Sequence, residues 1–164
     1  MPDITLLSPT SYARGSRKYK IVAGVLDSIV TGQLVLSTDL GSPYALAFTT
    51  SGTGQPVVGT DHILGLSTSD STDTVAAAGY VEVMPITSDM VFLINPGTAA
   101  TWDTQAEYDA LVGDRVLLSI SSAGVQTILA ADGSTYGLII EPLDVAKHPG
   151  KVAFKVRTAC LYSV

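Results

Sequence analysis

The residues that could catalyse a reaction are few, and no recognised motif contains them. His62 and His148 are the two histidines, and a Ser-His-Asp arrangement would need one of them beside a serine and an aspartate. His148 stands in a Lys-His-Pro-Gly run typical of a turn, and the chain has no G-x-S-x-G nucleophile elbow. The sequence therefore favours a protein that is not an enzyme. A small β-barrel hydrolase, with a histidine in a cleft beside serine and aspartate, is the less favoured alternative.

The candidate ligand-binding motifs are equally incomplete. The run from Asp70 to Asp73 lacks the central glycine and closing glutamate of a calcium loop, so we interpret residues 67–74 as a mobile polar loop. The phosphate-binding pattern beginning at Gly52 has Val57 where its third glycine is required. Cys160 is a single cysteine, too few for a structural zinc site or an internal disulfide. We therefore expect no metal and no cofactor.

The elements that would position any site are short β-strands separated by turn-forming residues. Runs rich in valine, isoleucine, leucine and tyrosine alternate with glycine, proline, serine and aspartate clusters, which is typical of an all-β sandwich or small barrel. In two runs, alternation also predicts a buried face. Those faces carry Val116, Leu118 and Ile120 in one strand, and Val152, Phe154, Val156 and Cys160 in the other. The predicted strands are 21–25, 33–38, 44–50, 62–67, 80–86, 90–94, 115–121, 125–130, 135–141 and 151–162.

One short helix is predicted between the strands. Thr104 and Glu107 have the T-x-x-E spacing of a capping box, in which each side chain accepts a hydrogen bond from the other residue's backbone. Tyr108, Leu111 and Val112 are spaced to form one apolar side of this helix. Gly113 follows them and can adopt the left-handed backbone conformation that ends a helix. We expect this helix to cover one end of the β body, with Trp102 nearby.

Composition limits the classes of protein that this chain can belong to. Charged residues make up 15% of its 164 residues and hydrophobic residues 46%, so much of the surface is expected to contact protein. The apolar runs are far shorter than the roughly 18 residues of a membrane-spanning helix. The N-terminus lacks the pattern of a signal peptide, so we expect folding and assembly in a cytoplasm. The apolar excess also favours an oligomer of this chain over a monomer.

The charges are segregated along the chain. Net charge is -6, and an acidic body of this kind would repel nucleic acid, so we expect no direct nucleic-acid partner. We predict two parts, an extended N-terminal arm (residues 1–19) and a single β domain (residues 20–164). The arm and its end carry four cations that could dock on an acidic protein surface, although a solvated tail is the alternative. These candidate binding residues are Arg14, Arg17, Lys18 and Lys20.

The order of several glycine-containing segments resembles the capsid decoration (cement) proteins of tailed bacteriophages. The segments are VTGQLV (30–35), ILGLS (63–67), AAGYVEV (77–83), VGDRV (112–116) and YGLIIEP (136–142). The resemblance implies a compact, β-tulip-like body that binds the outer surface of the major capsid protein lattice as a trimer and stabilises it. It also implies that residues 2–19 reach across neighbouring capsid subunits. The implied location is the virion, on the outer capsid surface, after synthesis in the host cytoplasm.

Another structural class remains open beside the decoration protein. A tail or baseplate β module, or a domain that binds the host surface, would share the short strands and the low charge. Such a protein would form a trimer in solution and bind glycans but not capsids.

Overall fold

The fold consists of short antiparallel strands and one helix. A computed structural model describes residues 4–8, 15–21, 29–37, 45–46, 56–72, 77–97, 102–121, 125–129 and 132–162. Within these residues the single α-helix, α1, is Gln105–Asp109, and a 3₁₀ helix spans Thr158–Cys160. The strands are β1 Ile4–Ser8, β2 Arg17–Lys20, β3 Leu34–Ser37, β4 Ala45–Leu46, β5 His62–Ser67, β6 Tyr80–Pro85, β7 Val91–Ile94, β8 Arg115–Ile120, β9 Gln126–Leu129, β10 Leu138–Ile140 and β11 Val152–Val156.

The strands form two antiparallel sheets. The six-stranded sheet has the order β1-β7-β11-β10-β8-β9, and the five-stranded sheet has the order β2-β6-β5-β3-β4. Within the described ranges neither sheet closes into a barrel. The predicted all-β class is confirmed, and the arrangement is compatible with a sandwich. No helix among the described residues is long and apolar enough to cross a membrane.

Most of the buried side chains form one cluster to which both sheets contribute. Phe92 and Phe154 of the six-stranded sheet, with ring centroids 5.7 Å apart, share this cluster with Leu34 and Ile63 of the five-stranded sheet. A second cluster includes Val35 and Leu64, which alternate with residues of the first, and Val81 and Val83 of β6. The five-stranded sheet is therefore buried on both faces along β3 and β5. This burial explains why those two strands are almost continuously apolar rather than alternating.

Glycine is required where β3, β5 and β6 lie side by side. The β3–β5 register shifts between Val35 and Leu36, opposite Gly65. A Cβ atom at Gly65 would lie 2.1 Å from the carbonyl oxygen of Met84, so no side chain fits there. Gly65 thus permits the close approach of β5 to β6 at this irregular position.

The predicted helix and its capping box are confirmed. Glu107 N donates to Thr104 Oγ1 at 3.3 Å, and Thr104 N donates to Glu107 Oε2 at 3.1 Å. Gly113 has φ +92°, as the predicted left-handed stop requires. The Tyr108 hydroxyl accepts from Ala153 N at 2.8 Å and donates to Glu141 O at 2.9 Å. The helix is therefore fixed to the end of the β10–β11 pair, with Trp102 against Tyr108.

The faces predicted for β8 agree with the structure only in part. Val116 and Leu118 are buried, but Ile120 is half-buried. Leu117, on the opposite face, is also buried, with 7% of its surface exposed. It lies directly across from Leu129 of β9, and opposite residues in a sheet bring their side chains into contact.

The N-terminal segment differs from the separate arm that the sequence predicts. Ile4–Ser8 is an outer strand of the six-stranded sheet, paired with β7, and Arg17–Lys20 pairs with β6 in the five-stranded sheet. Ile4 is 1% exposed and belongs to the main core cluster. The segment is extended, as predicted, but its described parts lie within the β body because Ile4 and Tyr19 bury apolar surface there.

A buried polar cluster joins the two sheets. Its members are Gln33, Ser67 and Gln126, each at most 4% exposed. Leu34 N donates to Gln126 Oε1 at 2.9 Å, and Gln126 Nε2 donates to Leu34 O at 3.1 Å. The two-residue β4 pairs with β3 at Leu36 and Ser37. The Gln126 amide therefore bonds to both backbone groups of Leu34, as a residue of a neighbouring strand would.

The segment 32–34 also receives hydrogen bonds from β1 and β5. Ile4 N donates to Gly32 O at 3.0 Å, so both outer strands of the six-stranded sheet, β1 and β9, bond to this one segment. Ser67 Oγ accepts from Gln33 N at 2.9 Å and donates to Val30 O at 2.6 Å. The turn before β3 is thus held by the Ser67 side chain of one sheet and by the backbone of β1 in the other.

Replacing Gln126 should destabilise the whole fold. In Gln126→Met the side chain keeps its length but leaves Leu34 N–H and C=O without these partners in a buried site. The expected loss is about 2 to 4 kcal/mol in the free energy of unfolding, measured by chemical denaturation. Thr127→Val, at the next position of β9, is the control and should change stability by less than about 0.5 kcal/mol. Equal stability of both variants would contradict the role given to Gln126.

Candidate interaction surface

Three of the four predicted binding cations lie on β2. Arg17, Lys18 and Lys20 belong to this outer strand of the five-stranded sheet, and Arg14 lies outside the described residues. In the register with β6, Lys18 is opposite Glu82 and Lys20 is opposite Tyr80. Arg17 is opposite Val83. The three positions are thus fixed by backbone pairing with β6.

The strand divides these cations between two faces. Successive side chains of a strand point to opposite sides, so Arg17 and Tyr19 share one face while Lys18 and Lys20 share the other. The structure therefore does not bring Arg17 together with the two lysines, and they do not form one basic patch.

Lys18 has partners within the chain. Its Nζ lies 4.6 Å from the centre of the Tyr80 ring, a cation–π contact, and Glu82 is its cross-strand neighbour. A shallow cavity of about 230 Å³ beside Lys18 is lined by the carboxyl residues Asp70 and Glu82. Its surroundings therefore offset the charge of Lys18 locally.

Arg17 lies on a larger groove. This groove, called the Arg17 groove below, has a volume of about 540 Å³ and lies between β2, the end of β6 and the C-terminal segment. Its lining includes Arg17, Tyr19, Ser88, Thr158, Leu161 and Tyr162. Among the described residues that line it, Arg17 is the single charged one. The groove can therefore offer a guanidinium group, hydroxyl groups and apolar surface to one ligand.

The polar loop after β5 is held in place where the structure describes it, in contrast to the predicted mobile loop. Asp70 Oδ1 accepts from Thr31 N at 2.8 Å and from Thr31 Oγ1 at 3.0 Å. These bonds hold the pKa of the Asp70 carboxyl below its ordinary value. Ser71 N donates to Ile29 O at 2.8 Å, and Ser69 Oγ accepts from Glu82 N at 2.9 Å. Asp73 lies outside the described residues.

The two histidines belong to different parts of the fold. His62 begins β5 opposite Ser37, and His148 lies in the turn between β10 and β11. Within the described ranges, no three His, Cys, Asp or Glu residues come together in a group that could hold a metal ion. The glycine pattern at residues 52–54 lies outside those ranges.

Cys160 is a buried core residue, as predicted, but it reaches the core from the 3₁₀ helix rather than from the predicted long strand. A Cβ atom at Gly137 would lie 2.6 Å from Cys160 Sγ and 2.7 Å from Pro56 O, so the thiol is closely packed. Burial raises the pKa of the Cys160 thiol to about 11. Such a thiol stays protonated at neutral pH and is a poor nucleophile.

Sequence reasoning missed most of the groove lining. Tyr19 fell inside the predicted arm, and Tyr162 inside the predicted C-terminal strand. The groove joins residues near both ends of the chain with Ser88 from the turn between β6 and β7. The alternation of Arg17 and Tyr19 was the one local signal that these two side chains share a face.

Comparison with known proteins adds no assignment. No family model, curated protein or solved structure matches this chain.

Alkaline pH should destabilise the protein through Cys160. The thiol titrates near pH 9.0 when unfolded and near 11 when folded, so the native state binds more protons between these values. The stabilisation is complete below pH 9 and is lost as pH rises through 11; about 2 kcal/mol should disappear between pH 8 and 10.5. Tyr108, whose pKa burial raises to about 12, adds a similar loss at higher pH.

The control for this prediction is Cys160→Ala, which is less stable at pH 8 because it leaves a small cavity. Its denaturation midpoint should fall less steeply than that of the wild type between pH 8 and 10.5. Parallel pH profiles for the two proteins would show that the thiol does not titrate in this range on unfolding.

Proposed function

We propose that this chain is a structural virion protein that decorates and stabilises a tailed-phage capsid. It binds the outer surface of the major capsid protein lattice as a homotrimer. Its partners are the major capsid protein and its own copies, and its role requires no catalytic step, cofactor, direct nucleic-acid contact or membrane.

The observation that carries this proposal is where the resembling segments lie in the fold. Segments 30–35, 63–67 and 77–83 include or adjoin β3, β5 and β6, which are neighbours in the five-stranded sheet. Segments 112–116 and 136–142 meet in the β8–β10 pair, where Leu138 lies opposite Val116 and Gly113 N donates to Ile140 O. The resembling segments thus form connected parts of both sheets rather than scattered surface loops. This supports a resemblance at the level of the architecture.

The buried polar groups support the same role. Ser67 Oγ of β5 accepts from Gln33 N next to β3, and Gln126 Oε1 of β9 accepts from Leu34 N of β3. Gln33 Oε1 accepts from Val30 N in the turn before β3. A protein that locks a lattice must resist deformation between its contacts, and bonds of this kind make a two-sheet body rigid.

The low content of charge supports extensive contact with protein. With 15% charged residues and a mean hydropathy of +0.37, the surface is suited to burial against further copies and against a shell. Binding through several subunits makes each later contact intramolecular, so individually weak contacts are sufficient.

The purified protein should be a trimer. Light scattering coupled to size exclusion should give about three times the chain mass of 17.0 kDa. Dilution from high to low micromolar concentration tests whether the trimer persists without a shell. A monomer throughout that range would contradict a preformed trimer.

Capsid binding tests the proposed function directly. The protein should co-sediment with undecorated capsids, saturate at a fixed number of copies and raise the temperature at which the capsids break. Capsids that already carry the protein are the control, because their sites are filled. Failure to co-sediment, together with binding to purified tails or to host glycans, would assign the chain to one of the alternative structural classes.

A further inference from the structure

The cations of this chain differ in whether they already have a partner. Lys155 Nζ lies 2.6 Å from Glu141 Oε1, Lys147 Nζ lies 3.0 Å from Asp144 Oδ2, and Arg115 pairs with Asp132 at 3.5 Å. Arg157 Nη1 donates to two backbone carbonyls, and Lys151 Nζ donates to Asn95 Oδ1. Each of these cations therefore has a partner within the chain.

Arg17 and Lys20 are exceptions among the described cations. Their exposed side chains have no hydrogen bond, ion pair or ring contact to any described residue. Of these two side chains, only Arg17 lines the Arg17 groove. In a chain with a net charge of -6, a groove whose described lining contains one guanidinium and no carboxylate is complementary to an anion.

The remaining lining limits the shape and chemistry of that anion. Tyr19, Tyr162 and Leu161 are half-buried and provide apolar surface, and Ser88 and Thr158 bring hydroxyl groups. Arg17 and Tyr19 are two residues apart on one face of β2, so the groove follows this strand for about 7 Å. A guanidinium beside aromatic and aliphatic surface suits a carboxylate followed by an apolar side chain on an extended backbone.

We propose that the Arg17 groove is the docking site for an extended segment of the major capsid protein in which an aspartate or glutamate adjoins an apolar residue. The carboxylate pairs with Arg17, and the apolar side chain packs on Tyr19 and Tyr162. This assignment rests on the proposed function and identifies the surface that faces the shell.

The two lysines of β2 do not contribute to this site. Lys18 and Lys20 lie on the opposite face of the strand, and Lys18 contacts Tyr80. The predicted docking role of the four cations is thereby reduced to Arg17 among those that the structure describes. Lys20, which lies on the same strand and does not line the groove, is a matched control.

The first experiment compares two charge reversals in co-sedimentation with undecorated capsids. Arg17→Glu should weaken binding at least about tenfold, because it places like charges together in the groove. Lys20→Glu should change binding by less than about threefold, since an exposed charge outside the interface is screened by salt. The melting temperatures of both variants should equal that of the wild type, because both side chains are exposed.

The second experiment identifies the occupant. A photocrosslinking amino acid at Ser88, inside the groove, is compared with one at Ala106, exposed on α1. The Ser88 probe should crosslink to the major capsid protein, at a segment containing an aspartate or glutamate beside an apolar residue. The Ala106 probe should not crosslink to that segment.

The outcomes separate this inference from the proposed function. Wild-type protein that does not bind capsids overturns the proposed function and this docking site with it. Wild-type binding that Arg17→Glu leaves undiminished, or a Ser88 crosslink to a second copy of this chain or to a glycan, overturns the docking site alone.

Discussion

The constraint on which the rest of the structure depends is the hydrogen bonding of the Leu34 backbone. Its peptide groups are buried and face away from β5, so they need partners from another element. Gln126 supplies both bonds from the six-stranded sheet. The two sheets are therefore joined by a side chain that mimics a strand.

This joint determines where the outer strands lie. Because segment 32–34 accepts from Ile4 and bonds to Gln126, it lies between β1 and β9, the two margins of the six-stranded sheet. The N-terminal segment then supplies an outer strand to each sheet. In this way β2 comes beside the end of β6 and the C-terminal residues, where the Arg17 groove forms.

Elements specified by local residues were predictable, whereas contacts between distant segments were not. The bounds of β5 and the capping box of α1 agree with the structure because strand residues, turn formers and the Thr104–Glu107 spacing act within a few positions. The burial of Ile4, the role of Gln126 and the lining of the groove depend on pairing across much of the chain. The alternation of side chains along a strand could predict which face of β2 carries Arg17. It could not predict which residues from other segments line the groove on that face.

The pairing of β1 with β7 has a consequence for how the chain folds. Ile4 pairs with Ile94, and Leu34 is hydrogen-bonded to Gln126. Segments separated by about 90 residues must therefore come into contact as the chain folds. Closing such long loops costs entropy before any contact offsets it, and a topology of this kind folds slowly. During synthesis β1 leaves the ribosome before β7 exists. Its side chains cannot pack against those of β7 until Ile94 has been translated.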